Sequence, residues 1–249
     1  MNFGFRRING EEFEIALSKS APNEIVGAAL STEENANAYA IFADGKNIGV
    51  FRECGGFVDC FAVDSDSYRY AETAFSEAIE NLDLSGAKAF TADSKLVSLC
   101  LSLPHTASAD KLCYMFSVER ERTYVPLRCA AISDLPNLSA LGFVSENRLE
   151  KLIGRHSVYV CDGFDGAVGF GIAERTGETA SAISAFVDVR YRCGGVGSAI
   201  FHRLGSLCMD YAQTPIAFCD ANDFACRKAL DNAGFACFEK RLKFNFARR

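Results

Sequence analysis

The stretch from Ser184 to Tyr211, SAFVDVRYRCGGVGSAIFHRLGSLCMDY, decides how the chain folds. Its first six residues form an apolar, strand-like run, and apolar residues recur at 200, 204 and 207, as on one face of a helix. Between them lies a glycine-rich turn, residues 192–198, which lets the backbone approach a ligand without a Cβ in the way. The free N–H groups and dipole of the helix start, together with Arg192, favour an anion. The stretch therefore predicts a strand, a tight turn and a helix that hold a phosphate or pyrophosphate.

The identity of the phosphate ligand is narrowed by two motifs that the turn does not match. A nucleoside-triphosphate loop ends in Gly-Lys-Ser/Thr, whereas this turn ends in Gly197-Ser198-Ala199 and has no lysine. A dinucleotide fingerprint has the form G-x-G-x-x-G, but its third glycine position is Ile200 here. Nucleoside triphosphates and dinucleotides are therefore disfavoured.

The turn does match the pattern R-x-x-G-x-G, formed by Arg192, Gly195 and Gly197 after a strand that ends in Val-x-Val. This segment resembles the acyl-CoA-binding core of the GNAT superfamily of N-acetyltransferases. Downstream come an apolar strand at 215–219, Asn222, a helical stretch, Gly234-Phe235 and a last strand-like run. The family has the same order of parts, so the resemblance covers the whole C-terminal half of the chain.

The resemblance implies that acetyl-CoA is bound as the acyl donor, with its pyrophosphate on the glycine-rich turn. It also implies that the backbone of the Val-x-Val segment pairs with the pantetheine arm. The predicted cofactor-binding residues are the strand end, the turn and the asparagine after the next strand: Val187, Asp188, Val189, Arg192, Cys193, Gly194, Gly195, Val196, Gly197, Ser198 and Asn222.

The catalytic groups of the family are matched less well. Many members carry a tyrosine acid eight residues after the asparagine, where this chain has Leu230, which cannot donate a proton. Cys226, one turn earlier, is interpreted as a structural cysteine. Some members place a glutamate base on the strand before the turn, near residues 181–183, and none of these is acidic here. The nearest carboxylates in sequence, Glu174 and Asp188, are the candidate bases, and a water relay is an equal alternative.

The N-terminal half repeats the C-terminal half. The segment that starts at residue 57 aligns with the strand, turn and helix around the glycine-rich turn, with Val63-Asp64 over Val187-Asp188 at an offset of 124 residues, and each half begins with a strand and a helix followed by a hairpin. We therefore predict an α/β (α+β) fold of two tandem GNAT-like copies, each a mixed, mainly antiparallel sheet with helices on both faces. The predicted domains are residues 1–122 and 123–249, joined at the charged stretch 119–123, and each copy is expected to be closed by its own last strand, residues 111–118 or 237–244.

The two copies differ where the ligand is expected. Ala71 and Thr73 take the positions of Gly195 and Gly197, and other replacements are Tyr68 for Arg192 and Ser94 for Asn222. Because side chains there would block close backbone approach, the first copy is predicted to be a degenerate domain without a phosphate loop, which is structural or shapes the acceptor site.

Composition limits the classes of function. The 249 residues are 49% hydrophobic and 23% charged, no apolar run approaches a membrane span, and the first residues carry charges where a signal peptide would be apolar. These features predict a cytoplasmic protein, monomeric or homodimeric, that binds no membrane, and a net charge of −6 argues against nucleic acid. Eleven scattered cysteines and three histidines predict buried thiols and no metal site. Residues 1–124 carry a net charge of −8, which indicates either a solvated acidic surface or acidic groups that attract a cationic amine.

Three hypotheses of function follow. The first is an N-acetyltransferase that moves an acetyl group from acetyl-CoA directly to a small-molecule or peptide amine in a ternary complex. Cys193 has the setting of an activated thiol, but it lies too far from the thioester to form an acyl-enzyme. The second is a non-catalytic acyl-CoA-binding or sensing protein, which Leu230 would explain, and the third is a structural tandem domain with an empty loop.

Overall fold

The computed structural model describes residues 1–20, 36–117, 125–164, 166–176 and 179–247. The chain forms two compact units. Unit 1 comprises Met1–Asp110 together with Glu239–Arg249, and unit 2 comprises Lys111–Phe238. None of the described helices is both long and apolar enough to cross a membrane.

Unit 1 is built on a sheet with strand order β1-β2-β3-β4-β5-β12, in which β12 is the last strand of the chain. Only the β4–β5 pair is parallel; the other pairs along this order are antiparallel. The elements of residues 1–117 in chain order are β1 (Phe3–Ile8), α1 (Gly10–Ser20), β2 (Asn37–Ala43), β3 (Lys46–Cys54), β4 (Phe57–Val63), a 3-10 turn (Ser65–Tyr70), α2 (Ala71–Asn81), β5 (Gly86–Phe90), α3 (Ser94–Leu101) and β6 (His105–Phe116), whose residues from Lys111 onward belong to unit 2.

Unit 2 has the strand order β6-β11-β10-β9-β8-β7, and its one parallel pair along this order is β10–β11. The elements of residues 125–247 in chain order are β7 (Arg128–Cys129), a 3-10 turn (Ile132–Asp134), α4 (Leu135–Ala140), α5 (Glu146–Gly154), β8 (Val158–Gly163), β9 (Gly166–Arg175), β10 (Ala180–Val187), a 3-10 turn (Val189–Tyr191), α6 (Val196–Asp210), β11 (Thr214–Asp220), α7 (Phe224–Ala233) and β12 (Phe235–Phe246), whose residues from Glu239 onward belong to unit 1.

The predicted duplication is confirmed by the matching order of elements and by matching turns. The Asp64 N–H donates to Ile48 O at 2.9 Å, and the Asp188 N–H donates to Val168 O at 3.0 Å.

Each sheet buries both faces. In unit 1, α1 covers one face through Phe13 and Leu17, and α2 and α3 cover the other. In unit 2, α4 and α5 cover one face, and α6 and α7 cover the other. The predicted mixed, mainly antiparallel sheets with helices on both faces are thus confirmed.

The closing strands differ from the expectation. Residues 111–115 of β6 pair with β11 in unit 2, and residues 241–245 of β12 pair with β5 in unit 1. In unit 1 the Arg241 guanidinium also binds the Asp110 carboxylate at 2.8 Å. The units therefore do not correspond to residues 1–122 and 123–249, and the predicted joint at 119–123 lies outside the described residues. The reason is that a sequence repeat identifies equivalent strands but not which sheet edge each one pairs with.

Candidate functional site

The site predicted from the sequence lies where β10 and β11 separate. The two parallel strands pair only from Ala180 and Thr214 to Ile183 and Ala217, although β10 continues to Val187 and β11 to Asp220. Beyond Ile183, therefore, the edge of β10 that faces β11 has no strand partner among the described residues. A gap of this kind exposes backbone groups to which an extended ligand can bind as an added strand.

The register of β10 shows which backbone groups face the gap. The Asp188 N–H donates to Val168 O, on the β9 side. Because N–H and C=O groups alternate between the two edges of a strand, those of Ala185 and Val187 point to the other side, where β11 has diverged. Val187 thus faces the gap, and its carbonyl accepts a hydrogen bond from Arg192 Nε at 3.2 Å. The N–H of Asp188 is already taken by Val168, and Val189 lies in the exposed turn that follows.

The predicted anion loop is formed by residues 192–198. Cys193 and Gly195 have positive φ angles of 64° and 84°, and Gly195 is the left-handed N-cap of α6. The first hydrogen bond of the helix runs from the Ala199 N–H to Gly195 O at 3.0 Å. The described part of the chain supplies no acceptor for the N–H groups of residues 193–198. A left-handed residue beside a helix start makes successive N–H groups converge, which is the geometry of an anion site.

The helix that carries this loop packs directly against glycines of β9. A Cβ added at Gly171 would lie 2.5 Å from Leu204 Cδ1, and one added at Gly169 would lie 3.2 Å from Ile200 Cδ1. Ile200 and Leu204 are themselves fully buried. This packing holds the start of α6 at the end of β10.

Arg192 is the exposed cation of the loop. Its guanidinium lies over the ring of Phe143, 5.6 Å from the ring centre, and so connects the anion loop to the α4–α5 loop. Its charge is therefore at the mouth of the gap, where the sequence predicted a cation for a phosphate.

Asp188 has a structural role in this geometry. Its carboxylate accepts the Arg190 N–H at 2.9 Å, which caps the 3-10 turn, and it binds the Arg190 guanidinium at 2.6 Å. The hydrogen bonds from Arg190 lower the pKa of the Asp188 carboxyl below its ordinary value. A carboxylate that is held in this way is a weak base, so we revise the role of Asp188 from candidate base to support of the loop.

Glu174 lies on the sheet face covered by α4 and α5. It is opposite Ala182 in the β9–β10 register, and its carboxylate lies 3.5 Å from Arg148 of α5. Its side chain keeps 31% of its surface exposed, so it is accessible to a ligand on this face. The structure does not bring Glu174 together with Asp188, since their carboxylates bind different cations.

Asn222 lies in the turn between β11 and α7, and its side chain is exposed and makes no hydrogen bond to the described residues. Leu230 of α7 is fully buried in the core beneath α6. Cys226 is hydrogen-bonded to Cys219, and burial raises the pKa of its thiol. Neither Leu230 nor Cys226 therefore replaces the tyrosine acid.

Unit 1 contains the gap without the anion loop. Its parallel strands pair only at Phe57–Gly86 and Val58–Ala87. The following 3-10 turn runs directly into α2, with the Ala71 N–H donating to Tyr68 O, and no residue from 65 to 73 has a positive φ. The N–H groups at this helix start are therefore not gathered into a comparable loop.

Sequence reasoning missed an aromatic stack beside the loop. Phe186 of β10 stacks on Phe170 of β9 at 4.8 Å and on Phe143 at 5.5 Å between ring centres. Phe143 belongs to the α4–α5 loop, and its sequence neighbours carry no periodic signal that would place it against β10.

The fold is that of solved GNAT proteins. An acetyltransferase of the GNAT family from Colwellia psychrerythraea superposes with a TM-score of 0.87 at 16% identity, over 98% of this chain and 100% of the other. A GCN5-related N-acetyltransferase from Sphaerobacter thermophilus superposes with a TM-score of 0.63 at 10% identity, over 99% of this chain and 96% of the other. A tandem GNAT protein from the clavulanic acid biosynthesis pathway superposes with a TM-score of 0.61 at 11% identity, over 100% of this chain and 99% of the other. Neither a protein-family model nor a curated protein matches the sequence. The chain therefore has the GNAT acetyltransferase fold in its tandem form.

Proposed function

We propose that the protein is an acyl-CoA-dependent N-acyltransferase that transfers an acetyl group from acetyl-CoA to an amine. The observation that carries the proposal is the gap between β10 and β11 with an anion loop at its mouth. The gap provides unpaired strand edge, and the loop provides converging N–H groups without acceptors. An extended molecule with a pyrophosphate at one end and amides along its arm fits both features.

The donor would lie along β10. Its pyrophosphate would accept hydrogen bonds from the N–H groups of residues 193–198 and take the charge of Arg192. The amides of its pantetheine arm would pair with the edge groups of Ala185 and Val187, and Asn222 is free to donate from the other side of the gap. The thioester would then lie near the point where the two strands meet, at Ile183 and Ala217.

The transfer is direct. The amine nitrogen attacks the thioester carbonyl carbon, the C–S bond breaks, and the thiolate of coenzyme A leaves. The amine proton passes to Glu174 or to water, and because Leu230 holds no proton to give, water protonates the thiolate. A thiolate is a tolerable leaving group, and holding the two reactants together can by itself lower the barrier substantially.

We assign a single acyl-CoA site to the chain, in unit 2. Unit 1 retains the strand gap, but the Ala71 N–H at its helix start donates to Tyr68 O of the 3-10 turn, and no residue from 65 to 73 has a positive φ. Unit 1 would therefore not hold the pyrophosphate.

Release of free thiol from acetyl-CoA over a panel of amines tests the proposal. Amine-dependent release that follows acetyl-CoA binding is the expected result. Binding without release from any amine would favour an acyl-CoA sensor, the alternative that the buried Leu230 supports. Absence of acetyl-CoA binding would refute both and leave a structural role.

A further inference from the structure

We propose that the acceptor is an amine carried on an aromatic or similarly flat apolar group, and that it binds over Ser184 against Phe143. This inference rests on the proposed function and names the substrate class of the same site. It follows from how the face of β10 beneath α4 and α5 is covered.

The side chains of β10 divide between the two faces of the sheet. Ile183, Ala185 and Val187 pack with α6, whereas Phe186 packs with the core under α4 and α5. By alternation, Ala182 and Ser184 share the face of Phe186. An acceptor that approaches the gap from the face not occupied by α6 therefore meets these three positions.

Ser184 is the uncovered position on this face. It pairs with Ile172 of β9, which is buried, yet Ser184 itself is exposed. It also follows immediately after Ile183, the last residue of β10 paired with β11. A molecule over Ser184 is thus next to the place where the thioester would lie.

An aromatic wall borders the open position on one side. Phe186, two residues along the strand and so about 7 Å away, stacks with Phe143 at 5.5 Å. Phe143 is further held by Arg192 over its ring. Even with both contacts it remains 39% exposed. The exposed part of Phe143 is apolar surface available to a flat group.

A carboxylate borders the open position on the other side. Ala182 lies two residues back along the strand, about 7 Å from Ser184, and Glu174 is its partner in β9. Arg148 holds the Glu174 carboxylate and leaves it partly exposed. An ammonium group would approach Glu174 and lose a proton there, while its apolar body faces Phe143.

This arrangement favours an arylalkylamine over a polyamine or a peptide lysine. A polyamine needs several carboxylates, whereas the Glu174 carboxylate beside the open position is already paired with Arg148. A peptide lysine would bring a hydrated backbone against the aromatic wall. An apolar wall with one polar group at its end matches the usual composition of a small-molecule site.

The test compares phenethylamine, ethylamine, spermidine and a lysine-containing peptide as acceptors, by initial rates of thiol release from acetyl-CoA. We expect phenethylamine to have the highest kcat/KM, at least about tenfold above ethylamine, as contact with an apolar wall supplies. Phe143→Ala should remove this preference by raising KM for phenethylamine more than KM for ethylamine. Phe143→Leu keeps apolar surface and should therefore retain part of the preference for phenethylamine that Phe143→Ala loses.

Phe164→Ala is the matched control. Phe164 is a fully exposed phenylalanine at the β8–β9 turn of the same unit, and its removal should change no rate. Glu174→Gln should lower kcat/KM for every amine alike, since it acts on the nitrogen and not on the apolar body.

A preference for spermidine or the peptide, or an equal effect of Phe143→Ala on all amines, would overturn the acceptor class and leave the transferase proposal standing. Failure of every amine to release thiol would refute the transferase proposal and this inference with it.

Discussion

Gly195→Val is the sharpest test of the anion loop. Gly195 has a φ of 84°, where an ordinary residue is strained, and a Cβ there would meet no other atom within 4 Å. The variant should therefore fold, with a loss of about 1–2 kcal/mol of stability from the left-handed backbone. If the loop relaxes to relieve that strain, its N–H groups no longer converge. Loss of two hydrogen bonds to a charged group, at about 1.5 kcal/mol each, raises the Kd for acetyl-CoA about 100-fold.

The assay is isothermal titration with acetyl-CoA, alongside thermal unfolding. Gly45→Val is a matched control, because Gly45 has a φ of 82° and equally open surroundings in the β2–β3 turn of unit 1. It should lose similar stability and keep full affinity. Thr73→Val, at the position equivalent to Gly197, should also leave binding unchanged. If Gly195→Val binds acetyl-CoA as tightly as Gly45→Val, the loop does not hold the pyrophosphate and the argument fails.

Three further predictions concern chemistry and stability. Cys193→Ala should keep most of the transfer activity, and intact-protein mass spectrometry after mixing with acetyl-CoA should show no added acetyl group; a turnover-competent acetyl-cysteine would contradict direct transfer. Leu230→Tyr should lower the free energy of unfolding by about 1–3 kcal/mol through overpacking, while thiol release per folded molecule is kept or increased; lost release without lost stability would contradict this. Arg128 lowers the pKa of the Asp134 carboxyl, so this group stabilises the fold above its unfolded pKa of about 3.9 and loses that effect as the pH falls through its folded pKa. Asp134→Asn should therefore have a lower Tm at pH 7 and approach the wild-type Tm near pH 2; a constant difference across this range would exclude the ion pair as the cause.

The backbone geometry of the loop and its helix was predictable because its signals are local. A run of glycines between a strand and a helix limits the backbone, and the positive φ at Gly195 is what such a residue permits. The absence of glycine at Ala71 and Thr73 predicted the loss of the loop in unit 1 by the same reasoning. Apolar periodicity likewise located α6, since Ile200 and Leu204 are buried as their spacing indicated.

The roles of charged residues were less predictable. Asp188 was a candidate base because it stands beside the loop in sequence, but the chain turns so that Arg190 folds back onto its carboxylate. Glu174 was also chosen by proximity in sequence, and its partner Arg148 lies 26 residues away on α5. Ionic partners depend on where side chains meet in space, which composition and spacing do not encode.

The sequence by itself thus determined the strand-turn-helix of the loop, the duplication and the loss of the loop from the first copy, because each is expressed by neighbouring residues. Only the tertiary structure decided the exchange of closing strands, the separation of β10 from β11 after Ile183, and the stacking of Phe143 on Phe186. These features are contacts between segments far apart in the chain. They depend on which edges and faces remain unpaired once the elements have packed.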